Sequence, residues 1–372
     1  MTGPVVLTGG GTGGHIFPMR AIAEALGDEG LATSELRYVG SRRGQEATLL
    51  GGGPIELTLL PGRGIRRSFR PRALRDNAVA LGALFGALAR ALVDLRRWRP
   101  RAVVSVGGYA AAAVSTAAVV WRRPLVLVDL DATPSATHRL LARFATVRCV
   151  AVGTPGPRVV VTGAPVRRDL VGLDRSPEGR RRAKDLVRPP IDQDRRVIVV
   201  MSGSLGSTRV NDAVIDLAQL WRDRRDLALI HITGRRDFDA VSARRPDVGD
   251  LDYRVIDFAD MSTWWAVADL AICRAGATTV AEVTVASVPA ILIPLPGAPG
   301  DHQSHNARAL SLAGAALVVV DHECTGVALR DAAESMLAPD AWREMSRASA
   351  SLAHPDAAQS IARVVVALGE RS

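Results

Sequence analysis

Pro4-Val5-Val6-Leu7-Thr8-Gly9-Gly10-Gly11-Thr12-Gly13-Gly14-His15 is the stretch that decides the fold. A short apolar strand runs straight into a glycine loop, and a helix is expected from about Phe17 to Leu26. The same order returns at Arg196-Val197-Ile198-Val199-Val200, which leads through Ser202-Gly203-Ser204-Leu205-Gly206-Ser207 into a helix ending near Leu220. Two such units read as two Rossmann-like halves. Further strands are expected at 36–40, 102–106, 125–128 and 159–161, then at 227–232, 254–256, 270–272 and 290–293. Continuous valine-rich runs between helices indicate parallel sheets covered on both faces. The fold class is therefore α/β, with two doubly wound domains expected to face each other across a cleft. The polar, arginine- and proline-bearing stretch 167–196 reads as their junction.

The bulk properties agree. A chain of 372 residues suits two cores better than one. Its 48% hydrophobic and 23% charged residues fit a folded globular protein. Aromatics at 4% argue against a surface that stacks nucleic-acid bases, and no nucleic acid is expected as a partner. The longest apolar run, Gly108 to Trp121, falls short of the roughly 20 residues of a spanning helix. Val5-Val6-Leu7 is too short for a signal peptide. Cys149, Cys273 and Cys324 are isolated, form no zinc or disulfide pattern, and read as buried apolar groups in a reducing cytoplasm. The net charge of +9 is local: eleven arginines against Asp76 and Asp94 between Gly62 and Arg101 account for all of it. Such a field points to an anionic partner.

Four segments carry candidate chemistry. Gly9, Gly11 and Gly14 satisfy G-x-G-x-x-G, a weak signal taken alone. A dinucleotide site also wants an acid where the second strand ends, and Val39-Gly40-Ser41-Arg42-Arg43 has none, which leaves only NADP as a nicotinamide alternative. His15 is expected at or just before the helix start, with Pro18 in the first turn. That position keeps an imidazole neutral and able to accept a proton. Its bland alternative is a capping histidine. Asp129-Leu130-Asp131 ends a strand; these aspartates read first as turn or helix starters, with Asp131 kept as a candidate base. Cys273-Arg274-Ala275-Gly276-Ala277-Thr278-Thr279-Val280-Ala281-Glu282 offers a pyrophosphate a helix N-terminus, and Glu282 either accepts from a ribose diol or closes a capping box. Asp301-His302-Gln303-Ser304-His305-Asn306 gathers side chains suited to sugar hydroxyls or to structural hydrogen bonds.

These residues, with Gly107-Gly108-Tyr109 and Gly163-Ala164-Pro165-Val166-Arg167, occur in the order of the MurG family, which the chain resembles over nearly its whole length. That family transfers N-acetylglucosamine (GlcNAc) from UDP-GlcNAc to undecaprenyl-diphospho-muramoyl peptide in bacterial peptidoglycan synthesis. The resemblance implies a GT-B fold, an inverting transfer, and no obligatory metal or cofactor. It implies an acceptor domain at 1–166, a UDP-sugar domain at 167–352, and a C-terminal helix at 353–372 returning to the first. It places Thr12, Gly13, Gly14 and Tyr109 on the acceptor side, with His15 or a neighbour such as Asp131 taking the proton. On the donor side it places Arg167, Ser204, Ala277, Thr278 and Thr279 near the diphosphate, Glu282 on the ribose, and His302, Gln303 and Asn306 on the GlcNAc hydroxyls. It also gives the 63–101 region a partner, the anionic inner face of the cell membrane, where a cytoplasmic, peripheral enzyme meets its polyprenyl acceptor. Leu81, Leu84, Phe85, Leu88, Leu92 and Leu95 recur there at helical spacing, mostly as core.

Two departures bear on specificity. Val128-Asp129-Leu130-Asp131 stands where the family carries His-Glu-Gln-Asn, and Ser202-Gly203-Ser204-Leu205-Gly206 where it carries Gly-Gly-Ser-Gln-Gly. They leave open a relative acting on a different lipid or natural-product acceptor, or with another UDP-sugar. An NADP-dependent oxidoreductase and a catalytically silent lipid-binding paralogue are the alternatives from other classes.

Overall fold

The computed structural model describes residues 3–11, 13–61, 71–203 and 206–370. The chain divides into two compact units, Met1–Arg167 with Pro355–Ser372, and Arg168–His354. In the first unit the strands β1 (Val5–Thr8), β2 (Leu36–Ser41), β3 (Glu56–Leu60), β4 (Ala102–Ser105), β5 (Leu125–Asp129), β6 (Val147–Val150) and β7 (Val159–Val161) form one sheet. It is parallel throughout, in the order β3-β2-β1-β4-β5-β6-β7. In the second unit β8 (Arg196–Met201), β9 (Leu227–Ile232), β10 (Asp252–Ile256), β11 (Leu270–Cys273), β12 (Ala290–Leu292) and β13 (Ala316–Val318) follow the order β10-β9-β8-β11-β12-β13. This sheet is parallel too.

The valine-rich runs form strands because both faces of each are covered. Val5, Val6 and Leu7 of β1, and Val197 to Val200 of β8, are at most 1% exposed. Burial of each such side chain contributes about 1.5–3 kcal/mol. Strand order reverses between β1 and β4 in one sheet and between β8 and β11 in the other. Ligands of doubly wound sheets bind outside the strand ends at such reversals. The loops singled out in the sequence are the ones that leave β1, β4, β8 and β11.

In the first unit the helices are α1 (Gly13–Asp28), α2 (Glu46–Leu50), α3 (Pro71–Trp98), α4 (Tyr109–Val120) and α5 (Ala136–Leu141). The last helix, Ala357–Glu370, packs on α1 and buries Ala357, Ile361, Ala362 and Val365, while Gln359 and Arg363 both reach Glu29 Oε1. No helix among the described residues is long and apolar enough to cross a membrane.

Three strands escape the sequence reading, and each has a physical reason. β3 and β13 are sheet edges, with part of each strand open to solvent; β3 mixes polar with apolar residues, and β13 takes only three residues of the apolar run 315–320. β6 carries Arg148 in its middle, held there by a buried carboxylate. The first helix also starts earlier than expected, at Gly13, so that His15 is its third residue and Pro18 lies inside it. Glycine is a poor helix former, but the Gly13 N–H is satisfied by Gln45 Oε1 at 3.2 Å.

Candidate active site

In the first unit, the loop leaving β1 is shaped by contacts that only glycine permits. A Cβ on Gly9 would lie 2.3 Å from Val106 Cγ2, and one on Gly10 would lie 2.2 Å from Glu46 Oε1. Glu46 is fully buried and its Oε1 accepts from Gly11 N at 3.1 Å and Ser41 N at 2.8 Å. This corrects the reading that no acid meets the end of β2. An acid is there, brought round by a turn five residues after Ser41, and it binds the loop's own amides. Tyr38 donates from its hydroxyl to Gly9 O at 3.3 Å.

The loop leaving β4 closes on the same place. Gly107 and Gly108 both have φ of +94°, and a Cβ on Gly108 would fall 2.6 Å from the carbonyl oxygen of Gly10. The two loops thus touch backbone to backbone. His15 Nε2 lies 3.8 Å from the position a Cβ on Gly107 would take. Gly13, Gly14, His15 and the Gly107-Gly108 turn are therefore one site. Thr12 lies outside the described residues.

Tyr109, the first residue of α4, donates its hydroxyl to Ala80 O of α3 at 3.1 Å. The hydroxyl anchors α4 to α3, directly after the Gly107-Gly108 turn. Asp131 is half-buried two residues beyond β5. Its neighbour Asp129 starts no helix or turn. It is buried at the end of β5 between His138 Nδ1 at 2.7 Å and Arg148 Nη2 at 2.8 Å. Arg167 closes the first segment of the first unit instead of opening the second, with its guanidinium 5.5 Å over the Phe17 ring.

In the second unit, a buried polar network supports the loop leaving β8. Ser202 Oγ donates to Asn211 Oδ1 at 2.5 Å, and Asn211 Nδ2 donates to Thr233 O at 3.2 Å and Asp237 Oδ2 at 3.1 Å. His231 Nε2 donates to Asn211 Oδ1 at 2.9 Å, which leaves Nδ1 to accept from the Tyr253 hydroxyl, also at 2.9 Å. Burial lowers the His231 pKa to about 3. Gly206 and Gly234 pack so closely that a Cβ on Gly234 would lie 2.4 Å from Gly206 N. Ser204 lies outside the described residues.

This network makes the second unit acid-sensitive. The His231 pKa falls on folding, so below its ordinary value of about 6.5 the unfolded chain binds a proton that the folded chain refuses. Stability is full above that value and is lost as pH drops towards 3. From pH 7 to pH 5 the loss from this group is about 2 kcal/mol. Urea unfolding at both pH values measures it, and a His231→Gln variant, which cannot titrate, is expected to flatten the difference.

The loop leaving β11 ends at Gly276, which caps the helix Ala277–Val285 and puts Ala277, Thr278 and Thr279 in its first turn. The first amides of that turn have no partner within the helix and carry its positive end. Arg274 ties the loop down: its guanidinium reaches Ile293 O, Pro294 O, Ser207 Oγ at 2.6 Å and Asp321 Oδ1 at 2.6 Å. Glu282 is the sixth residue of the helix, so it closes no capping box. Its Oε2 accepts from Trp265 Nε1 at 3.0 Å, and Trp265 is fully buried, which fixes the carboxylate's direction.

The residues around 302–306 are held the same way. His302 Nδ1 donates to Pro299 O at 2.8 Å, and Gln303 Oε1 accepts from Leu295 N at 2.9 Å. Asn306 is buried, and its amide donates to Ala275 O at 3.0 Å. It therefore holds the Arg274–Gly276 turn. The structure thus joins the β11 loop to the helix His302–Leu312.

Comparison with known proteins settles the family. A model described as the glycosyltransferase family 28 N-terminal domain matches residues 5–149, and one described as the family 28 C-terminal domain matches residues 197–361. The chain belongs to glycosyltransferase family 28, in the MurG family. A transferase of Alkalilimnicola ehrlichii, named UDP-N-acetylglucosamine–N-acetylmuramyl-(pentapeptide) pyrophosphoryl-undecaprenol N-acetylglucosamine transferase, is 38% identical over 98% of this chain and 98% of its own. One of the same name from Symbiobacterium thermophilum is 36% identical over 99% of this chain and 96% of its own. The crystal structure of Acinetobacter baumannii MurG superimposes with a TM-score of 0.77 at 27% identity, covering 98% of this chain and 99% of that one. The family 28 transferase described here is accordingly a UDP-sugar-dependent glycosyltransferase of GT-B fold, and the nicotinamide alternative falls.

The three cysteines of the transferase are free and buried, and burial pushes the thiols of Cys149 and Cys273 up to about 12 and that of Cys324 to about 11. In α3, Leu95 is buried and Leu84, Leu88 and Leu92 pack against the core, but Phe85 of the same stripe is 70% exposed. The Leu81 side chain and residues 62–70 lie outside what is described.

Proposed function

We propose that this transferase moves GlcNAc from UDP-GlcNAc to the 4-hydroxyl of the muramoyl sugar in a polyprenyl-diphosphate-linked acceptor, converting lipid I to lipid II. One observation carries the reading: each sheet presents glycine turns and a helix start at its reversal point, in a chain that matches MurG relatives along nearly its full length. The first unit takes the acceptor at Gly13, Gly14 and His15. The second takes the donor at Ala277, Thr278, Thr279 and Glu282, with His302 and Gln303 on the sugar.

In the transfer, the acceptor oxygen forms a bond to C1 of GlcNAc as the bond from C1 to the UDP oxygen breaks, with inversion. His15 accepts the hydroxyl proton, as a neutral imidazole can. Charge gathering on UDP meets the N–H groups of the Ala277–Thr279 turn, which are oriented before the reaction starts. Glu282 accepts from the ribose diol. Replacing it by glutamine retains an acceptor for Trp265 but removes the charge. A charged hydrogen bond contributes about 1.5–3 kcal/mol, so Glu282→Gln is expected to weaken UDP-GlcNAc binding by about 10–100-fold. Calorimetric titration measures this, and unchanged affinity would remove Glu282 from the ribose.

The face of α3 that carries Phe85 also exposes Val93 at 63%, with Ala89 between them and Arg90, Arg96 and Arg97 exposed alongside. An apolar strip flanked by arginines suits an anionic bilayer. We place this enzyme at the inner face of the cell membrane on that basis. A second reading, a relative with a different lipid or natural-product acceptor, is favoured by Val128 and Leu130. These buried apolar side chains stand where the family pattern has His and Gln.

A further inference from the structure

Behind the Gly107-Gly108 turn, three buried side chains and a partly buried arginine form a continuous chain that the reaction described above does not use. Ser105 ends β4, Asp129 ends β5, Arg148 lies in β6, and His138 lies in α5. Ser105 Oγ and His138 Nε2 are 3.0 Å apart, His138 Nδ1 and Asp129 Oδ1 are 2.7 Å apart, and Asp129 Oδ2 accepts from Arg148 Nη2 at 2.8 Å. The side chains of His138 and Asp129 are each 2% exposed, and Ser105 is fully buried.

The order serine, histidine, aspartate is that of a hydrolase triad, but a fully buried Ser105 hydroxyl meets no substrate. Stability does not account for it either, since a buried ion pair is often no better than apolar packing of the same volume. What such a network does supply is one fixed geometry. Burial pushes the Asp129 carboxyl up, but hydrogen bonds and charge from His138 and Arg148 outweigh it and hold the group below the usual carboxylate range. The ionised Asp129 accepts a hydrogen bond from His138 Nδ1–H, and His138 Nε2 shares a hydrogen bond with the Ser105 hydroxyl. The imidazole is thereby fixed in one plane.

That plane abuts the acceptor site. A Cβ on Gly107 would lie 3.9 Å from His138 Cε1, 3.8 Å from Ser135 Oγ and 3.8 Å from His15 Nε2. His138 and His15 therefore face the same glycine, with about one methyl group of room there. Ser135 also caps α5, accepting from His138 N at 3.2 Å, so the first turn of α5 is fixed against the same point.

We infer that His138, locked by Asp129 and Arg148, is a positioning residue for the transfer: it seats the Gly107-Gly108 turn that sets where His15 and the acceptor hydroxyl meet. The inference rests on the proposed acceptor role of this loop, and it gives Asp129 and His138 a task in this chain. It makes an asymmetric prediction, because the donor residues belong to the second unit.

The test measures kcat and acceptor KM with a short-chain lipid I analogue, and UDP-GlcNAc Kd by calorimetry, for wild type, His138→Ala, His138→Gln, Asp129→Asn and Ser105→Ala. The expected result is a fall in kcat of at least tenfold for His138→Ala and Asp129→Asn, with UDP-GlcNAc Kd within twofold of wild type. His138→Gln, which keeps one donor and one acceptor, is expected to recover several-fold of that loss. Retention of kcat within twofold by folded His138→Ala overturns the proposal. So does a parallel loss of kcat and donor affinity, or a glutamine variant no better than alanine. Should His138→Ala fail to fold, Ser105→Ala removes a single oxygen and decides the matter: unchanged kcat overturns the proposal, and a loss with intact donor binding supports it. An inactive wild type would instead overturn the acceptor assignment, which separates the two failures.

Discussion

Replacing His15 by alanine is expected to lower turnover by about 10²–10⁴-fold, the usual contribution of a placed general base, without changing UDP-GlcNAc affinity. His15 is the third residue of α1, half-buried, with Nε2 facing Gly107. The backbone around it is tied down by others: Glu46 and Gln45 hold the amides of Gly11 and Gly13, and Tyr38 holds the Gly9 carbonyl. Removing the imidazole is therefore expected to leave the loop in place and to delete the group proposed to accept the proton. Steady-state kinetics with a lipid I analogue and donor calorimetry check the two halves of this statement. Turnover within a factor of three of wild type would take His15 out of the chemistry.

The second large effect is expected at Gly108. A methyl group there would lie 2.6 Å from Gly10 O and 3.1 Å from Gly10 N, on a residue whose φ is +94°. The obstacles are backbone atoms, so no rotamer change relieves them. The left-handed conformation alone costs on the order of 1–3 kcal/mol. Gly108→Ala is therefore expected to destabilise the first unit by about 2–4 kcal/mol and to cut turnover sharply by parting the two acceptor loops. Gly82→Ala in α3 is the control, because nothing lies within 4 Å of its added Cβ. It is expected to stabilise by about 0.5–1 kcal/mol, the ordinary helix preference. Urea unfolding of the two variants gives opposite signs, and equal effects would contradict the close approach of Gly108 to Gly10.

What was legible in the sequence is what local pattern encodes. Strands β1, β8, β9 and β11 are apolar along most of their length because they lie inside their sheets, and the glycine turns after β1, β8 and β11 announce themselves by composition. The edge β3 mixes polar with apolar residues, and β13 is a three-residue strand within the apolar run 315–320 that the sequence reading passed over. The loops' supporting side chains were not legible, because each comes from a distant place in the chain. Glu46 reaches Gly11 across 35 residues, His231 reaches Asn211 across 20, and His138 reaches Ser105 across 33. Lone polar residues in apolar surroundings, such as His231 in Leu-Ala-Leu-Ile-His-Ile, were the available signal. Glu282 stands out in the sequence, but its Trp265 partner, 17 residues away, does not. Asn306 and Tyr109 show the converse: hydroxyl- and amide-bearing side chains in motif positions that make backbone contacts.

The measurement closest to the central claim is product analysis after incubation of the full-length enzyme with UDP-GlcNAc and a short-chain lipid I analogue. The account predicts one GlcNAc per acceptor, β-linked at the muramoyl 4-hydroxyl, with release of UDP and with UDP-GlcNAc preferred over other UDP-hexoses. Transfer only to an acceptor lacking the muramoyl sugar, or consumption of a different UDP-sugar in its place, would contradict it.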